Sequence, residues 1–146
     1  MRMKTQTAMT FAYILIFSGL IAGSLLLPRA TASTISATVV IDPEKINLFD
    51  SCPPGAVAIA TVKFPKEYRD RLMDINGSTV LLDGVIPPSG EDKSPGKYKA
   101  FFDRHVVYDY LWLKLAHMGH TEPLKNVEVE LTVTGELYDN TPFEGS

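Results

Sequence analysis

The chain has 146 residues, of which 45% are hydrophobic and 21% are charged, and its formal net charge is −3. This length fits one domain, and the acidic balance repels phosphate backbones, so nucleic acid is excluded as a partner. Cys52 is the only cysteine, which excludes a disulfide within the chain.

The N-terminus has the pattern of an export signal. Two basic residues lie among the first four, an uncharged apolar run covers residues 8–27, and Ala30-Thr31-Ala32 follows. A basic start, an apolar middle and a small-x-small end are typical of a signal peptide, here cleaved between Ala32 and Ser33. The run of about 20 residues is also long enough to span a bilayer, so an uncleaved membrane anchor is the alternative.

Residues 33–146 are therefore predicted to be one extracellular or cell-surface domain that contacts the membrane only through an uncleaved N-terminal segment. This part has 11 basic and 17 acidic residues. Secreted domains of this size often depend on disulfides, but Cys52 has no partner within the chain. Two interpretations of Cys52 remain open: an intermolecular disulfide, or a small hydrophobic residue in the core.

The first half of the domain reads as short strands separated by turns. Residues 35–41 are rich in β-branched side chains and predict a strand, and residues 57–64 predict a second one. The charged residues 66–75 predict a loop with one helical turn. Residues 78–82 predict a third strand, closed by the turn dipeptide Asp83-Gly84.

The second half contains one change of pattern. Residues 87–96 are polar and rich in proline, which predicts a loop before a strand over residues 97–102. Asp103 is a good N-cap, and the apolar residues after it fall on one face, so a short helix is expected over residues 104–116. Strict alternation over residues 127–134 predicts a strand that Gly135 ends. Many short strands with regular turn signals favour a β-sandwich.

Three stretches carry a resemblance to a known family. Residues 37–48 (ATVVIDPEKINL) match an opening strand pair, and residues 101–104 (FFDR) match a strand-to-helix junction. Residues 130–137 and 141–146 match a C-terminal portion. Together they resemble an Ig-like module of secreted archaeal and bacterial proteins. The resemblance implies an all-β, Ig-like β-sandwich with one short helix, which serves as an accessory module without an assigned activity.

The chain departs from that family in two ways. The family's aspartate-rich calcium loop aligns with Ser89, Glu91 and Lys93, and a lysine at its centre repels a cation, so no calcium site is expected. Similar modules continue past residues 144–146 into a final strand. Its absence predicts an open sheet edge, which would pair with a strand of a protein partner or of a second copy.

Few residues indicate ligand chemistry. Asn76-Gly77-Ser78 fits the acceptor pattern for N-glycosylation, and its Asn-Gly pair also predicts a tight turn. Tyr108 and Trp112 are neighbours on a helix and would stack on sugar rings if exposed, whereas packing in the core is the alternative. His117 and His120 are interpreted as exposed turn residues rather than zinc ligands.

No grouping of serine, histidine and aspartate and no pair of carboxylates stands out, so we expect no enzyme activity, cofactor or metal. The sequence predicts a non-catalytic β-sandwich, secreted or tethered to the membrane, that acts by protein contact at the cell surface. A carbohydrate-binding module that uses Tyr108 and Trp112 is the alternative, and the two differ in whether Trp112 is exposed to solvent.

Overall fold

The computed structural model describes residues 32–119 and 127–146, and this part of the chain is mostly β-strand. In chain order the elements are β1 (Ile35–Asp42), β2 (Val57–Lys63), a 3₁₀ helix (Lys66–Asp74), β3 (Ile75–Leu82), β4 (Gly90–Ser94), β5 (Lys97–Asp103), α1 (Arg104–His117), β6 (Val133–Leu137) and β7 (Pro142–Gly145). The all-β prediction is confirmed at this level. Except for Ala32, the predicted signal or anchor segment lies outside the described residues.

In the described part of the chain, neither helix has both the length and the apolar character that a membrane crossing requires. The longer of the two, α1, covers 14 residues and carries charged side chains along its length.

The seven strands form one mixed sheet in the order β3-β6-β7-β1-β2-β5-β4. Every neighbouring pair is antiparallel except β1 and β7, which run parallel. Residues 35–37 of β1 pair with β7, whereas residues 38–42 pair with β2. The strand β1 therefore joins two four-stranded arms, which we call the β3 arm (β3, β6, β7, β1) and the β4 arm (β1, β2, β5, β4).

The two edge strands lie beside each other, so the sheet closes almost into a barrel. Lys93 Nζ on β4 donates a hydrogen bond of 2.7 Å to the backbone oxygen of Ile75 on β3. Side chains therefore bridge the gap where backbone pairing would complete a closed sheet. We call this gap, bounded by β3 and β4, the seam.

One hydrophobic core fills the space between the arms. Phe64, beyond the end of β2, and Phe143 on β7 meet edge to face, with ring centroids 5.4 Å apart. The largest fully buried side chains come from both arms, from the 3₁₀ helix and from α1: Val62, Leu72, Ile75, Val80, Leu82, Tyr98, Phe102, Val107, Val133, Leu137 and Phe143. Burial of this apolar surface is the main term that stabilises the fold.

The helix α1 agrees with its sequence prediction. The Asp103 side chain accepts a hydrogen bond of 2.9 Å from the backbone nitrogen of His105, which satisfies one of the free N–H groups of the first turn. Val107, Leu111 and Leu115 recur at every fourth position and are buried. One face of α1 therefore covers the sheet, and its opposite face meets solvent.

The prediction of one strand and the prediction of one loop were wrong. The strand β6 begins at Val133, and Gly135 lies inside it, because the missing side chain leaves room for the ring of Phe143. Residues 127–132 show half-buried and exposed side chains, which explains the alternation in the sequence. This segment is not a strand, because it pairs with no strand among the described residues. The predicted polar loop over residues 87–96 contains β4, whose charged sequence gives no strand signal.

The Asn76-Gly77 pair forms no turn, because it lies inside β3 at an irregularity in the pairing with β6. There the Thr79 hydroxyl accepts a hydrogen bond of 2.8 Å from the backbone nitrogen of Glu136 and donates to the backbone oxygen of Asn76 at 2.7 Å. A side chain thus replaces a ladder contact, as in a β-bulge.

The resemblance predicted an open sheet edge, and in the structure the two edge strands are β3 and β4. The last strand, β7, is flanked by β6 and β1 on its two sides. Gly145 makes the parallel contact possible, because a Cβ at this position would overlap the backbone oxygen of Ala37. Any partner strand would therefore add to β3 or β4.

Candidate cleft beside the helix

A cleft of about 850 Å³ lies beside α1 in the described part of the chain. We call it the Trp112 cleft. Residues 44–49, from the connection between β1 and β2, form one wall, and Trp112 and Leu115 of α1 form another. Residues 127–129 complete the lining.

Two aromatic rings form a corner of this cleft. The centroids of Phe49 and Trp112 are 5.4 Å apart and their planes make an angle of 84°. Such edge-to-face pairs are favourable because the positive edge of one ring meets the negative face of the other. Trp112 is 43% exposed and Phe49 is 64% exposed, so both rings keep surface available to a ligand.

Polar side chains surround the aromatic corner. Glu44, Lys45, Asn47 and Glu128 line the cleft, and the ion pairs within the described residues join other side chains. Asn47 Oδ1 accepts a hydrogen bond of 3.1 Å from the backbone nitrogen of Phe49, which orders the loop that carries the ring. Apart from Asn47 Oδ1, the side-chain groups of Glu44, Lys45, Asn47 and Glu128 have no hydrogen-bond partner among the described residues, so the cleft offers them to a ligand.

The helix that carries Trp112 is anchored by Asp83, whose side chain is only 8% exposed. Asp83 Oδ2 accepts hydrogen bonds from Lys114 Nζ at 2.5 Å and from the Tyr110 hydroxyl at 2.9 Å. Its Oδ1 accepts from the backbone nitrogen of Thr132 at 2.7 Å. Lys114 Nζ also donates to the backbone oxygen of Glu130 at 2.9 Å. One carboxylate thus ties α1 to the end of β3 and to the segment before β6.

These contacts shift the titration of the groups involved. Burial on its own raises the pKa of the Asp83 carboxyl, but the hydrogen bonds from Lys114, Thr132 and Tyr110 outweigh it and hold the pKa below its usual value. Burial and the bond to Asp83 raise the pKa of the Tyr110 hydroxyl. Both shifts favour a charged carboxylate on Asp83 and a protonated phenol on Tyr110.

Only one of the two residues predicted to stack on sugars lines the cleft. Trp112 is exposed and lines the cleft, whereas Tyr108 is half-buried and lies outside it. Phe49 takes the second aromatic position, and sequence reasoning missed it. The sequence carried no signal for this pairing, because Phe49 and Trp112 belong to elements that only the fold brings together.

The remaining candidate residues lie apart from the cleft. Asn76 is half-buried in β3, and its Oδ1 accepts a hydrogen bond of 2.7 Å from the Ser78 hydroxyl. Cys52 is half-buried in the connection between β1 and β2, so the fully buried interpretation is not met. Ala32 and Ser33 are exposed, and Thr34 separates them from β1.

The histidines form no metal site in the part of the chain that the structure describes. His117 Nδ1 lies 2.7 Å from the backbone oxygen of Leu113, so this ring is used within its own helix. His120 falls outside the described residues. Among residues 32–119 and 127–146, no group of three or more histidine, cysteine, aspartate or glutamate side chains is placed to hold a metal ion.

Comparisons with known proteins return no relative. No family model, curated protein or solved structure matches the chain.

Proposed function

We propose that residues 33–146 are an exported, non-catalytic Ig-like β-sandwich module that acts by protein contact at the cell surface. The strand order supports the fold assignment. In immunoglobulin domains, strands A, B, E and D form one sheet and strands C, F and G form the other. With β1 to β7 taken as A to G, the β4 arm corresponds to A, B, E and D, and the β3 arm adds C, F and G.

The sequence resemblance supports the same assignment. The stretch at residues 101–104 coincides with the junction between β5 and α1, where a strand passes into a helix. The stretch at residues 37–48 begins within β1, and the C-terminal stretches include β6 and β7.

Export is supported by the position of the proposed cleavage bond. Ser33 and Thr34 are exposed, and Ile35, which is 2% exposed, is the first core side chain of the described residues. Cleavage between Ala32 and Ser33 therefore leaves every core side chain of the described residues in the mature chain. N-glycosylation of Asn76 remains part of the proposal, because an exported chain is one that meets the glycosylation machinery.

The observation that carries the contact function is the apolar surface of α1. Nine large hydrophobic side chains of the described residues are exposed. Phe49 and Trp112 belong to the Trp112 cleft, whereas Val106, Leu113 and Met118 lie on α1 or directly after it, outside that cleft. Val106 and Leu113, seven residues apart on the solvent face of α1, are 47% and 62% exposed. Two large apolar side chains exposed on one helix face support a contact with a protein partner.

The sheet edges support a contact less well than α1 does. Lys93 spans the seam to the backbone of Ile75, and the carboxylate of Glu91 lies against Gly77 of β3. Charged side chains on an edge strand oppose the addition of a further strand. We therefore assign the contact to the α1 surface rather than to strand pairing at β3 or β4.

Site-specific photo-cross-linking tests this function. A photoreactive residue is placed at Leu113, or at Lys97 as an exposed control at the start of β5, in protein recovered from the cell surface. We expect the intact mass of the recovered protein to be that of a chain that begins at Ser33. We also expect a discrete cross-linked adduct from position 113, which the substitution Val106→Asp removes. Equal adducts from both positions, no adduct from position 113, or retention of the full chain inside the cell would contradict the proposal.

A further inference from the structure

We propose that the Trp112 cleft binds a neutral pyranose unit of an oligosaccharide. This site is distinct from the outer face of α1, because Val106 and Leu113 do not line the cleft. The ligand class follows from the combination of an aromatic corner, a polar rim and the charge of that rim.

The aromatic corner selects a ligand with an apolar face. The face of an indole ring carries partial negative charge, and the axial C–H groups of a pyranose carry partial positive charge. Trp112 keeps 43% of its surface exposed, and the ring of Phe49 stands almost perpendicular to it at 84°. A flat sugar ring laid on one of these aromatic faces meets the other at its edge.

The polar rim selects a ligand rich in hydroxyl groups. Glu44 and Glu128 accept hydrogen bonds, whereas Lys45 and the side-chain amide of Asn47 donate them. A purely apolar occupant would cover these groups without replacing their water, which costs free energy for each group left unpaired. Sugar hydroxyls both donate and accept, so they satisfy all four.

The charge of the rim decides between neutral and acidic sugars. Two carboxylates and one ammonium group leave the cleft with a net negative charge. A uronate or a sulfated sugar would bring a further negative charge against Glu44 and Glu128, which like-charge repulsion opposes. A neutral pyranose meets no such penalty.

The walls of the cleft are held in place before a ligand arrives. Two hydrogen bonds order the loop wall. The backbone nitrogen of Phe49 donates to Asn47 Oδ1, and the backbone nitrogen of Asp50 donates to the backbone oxygen of Asn47 at 3.2 Å. The helix wall is fixed through Asp83. A preorganised site loses less conformational freedom on binding, which favours the weak contacts that sugars make.

Intrinsic fluorescence provides a direct measurement, because Trp112 is the only tryptophan in the chain. The exported protein is titrated with cellohexaose, maltohexaose or N-acetylchitohexaose, and with hexagalacturonate as the acidic probe. We expect a saturable change in Trp112 emission with at least one neutral hexasaccharide, and no change with the acidic one.

Three variants test whether the cleft is responsible. Phe49→Ala removes one aromatic wall, and we expect it to weaken saccharide binding about tenfold. Glu128→Gln removes one charged acceptor from the rim. Met73→Ala, an exposed apolar residue on the 3₁₀ helix outside the cleft, should bind as the parent does. All three positions are solvent-exposed, and melting curves check that each variant is folded.

Several results would overturn the assignment: no emission change with any neutral probe up to about 10 mM, equal binding of hexagalacturonate, or undiminished binding by Phe49→Ala. If no saccharide binds and Phe49→Ala instead removes the cross-link from position 113, the cleft is part of the surface that contacts the protein partner. In that case the sugar site fails and the proposed function stands.

Discussion

At the scale of single residues, Asp83 holds together parts of the chain that no local pattern connects. Its backbone has a φ of 49°, a left-handed conformation that aspartate and asparagine tolerate better than most residues. The sequence predicted a turn at Asp83-Gly84 and the structure has one. The contacts of Asp83 with Tyr110, Lys114 and Thr132 could not be predicted, because these residues are 27, 31 and 49 positions away.

Replacement of Asp83 by asparagine separates charge from shape. Asp83→Asn keeps the left-handed backbone and the bond from Thr132 but loses the charged bond to Lys114, so we expect the free energy of unfolding to fall by about 1–3 kcal/mol at pH 7. Asp83→Ala should cost more, because it also strains the backbone. Asp109→Asn, an exposed position on α1, is the matched control and should change little. Denaturant unfolding measures all three.

The same comparison made against pH tests the titration of Asp83. The folded state lowers the pKa of this carboxyl, so its contribution is complete above the unfolded pKa of about 3.9 and is lost as the pH falls below it. The difference between the parent and Asp83→Asn should therefore shrink between pH 5 and pH 3. A difference that stays constant over this range would show that the charge of Asp83 does not stabilise the fold.

The candidate cleft was half predictable at this scale. Trp112 was recognisable as a stacking residue because it is aromatic and sits on a helix signalled by Asp103. Its partner Phe49 lies in a connection without regular structure, where no periodicity marks a functional side chain. The resemblance described residues 37–48 only as strands, so it also gave no reason to select the residue that follows.

At the scale of secondary structure elements, the seam between β3 and β4 depends on a chain of polar contacts. The hydroxyl of Tyr98, a fully buried residue, donates to Glu91 Oε2 at 2.8 Å. Burial and the contact with Glu91 raise the pKa of Tyr98, so the phenol stays protonated as the donor. The Glu91 carboxylate in turn lies against Gly77, where a side chain would overlap it.

A double-mutant cycle measures this coupling. In Gly77→Ala the new methyl group displaces the Glu91 carboxylate, and the Tyr98 hydroxyl is left buried without its acceptor, so we expect a loss of about 1–3 kcal/mol. In a Tyr98→Phe background there is no buried hydroxyl to lose its acceptor. Gly77→Ala should then lower the free energy of unfolding by at least about 0.5 kcal/mol less than it does in the parent. Strictly additive effects would mean that Gly77 and Tyr98 are not linked through Glu91.

The strands differ in how well the sequence predicted them. The strands β1, β2 and β5 carry β-branched or aromatic residues and were predicted close to their observed bounds. The strand β4 has the sequence Gly-Glu-Asp-Lys-Ser and was missed, because as an edge strand it buries little and is held by its pairing with β5. The start of β6 was placed too early, since alternation reports burial rather than hydrogen bonding.

At the scale of the whole molecule, the division of β1 between two partners makes one fold of the two arms. Composition and strand spacing predicted an all-β domain. They could not predict that residues 35–37 pair with β7 at the far end of the chain, because pairing between distant strands has no local signature. Gly145 allows the close contact between β7 and β1, but nothing in the sequence around it indicates this role.

Substitution of Gly145 tests whether the junction supports the molecule as a whole. A methyl group at this position meets the backbone of Ala37, which cannot rotate away as a side chain can, so β7 must separate from β1. We expect Gly145→Ala to lower the free energy of unfolding by about 1–3 kcal/mol or more and to loosen both arms together.

The matched control is Gly90→Ala on β4, where the new Cβ would lie 3.5 Å from the Phe101 ring, an ordinary contact distance. This variant should unfold within about 0.5 kcal/mol of the parent. Hydrogen exchange locates the effect: in Gly145→Ala, amides of β2 in one arm and of β6 in the other should both exchange faster. Faster exchange in β6 and β7 alone would show that the arms are stable without the junction, because loss of the β1–β7 contact then leaves the β4 arm intact.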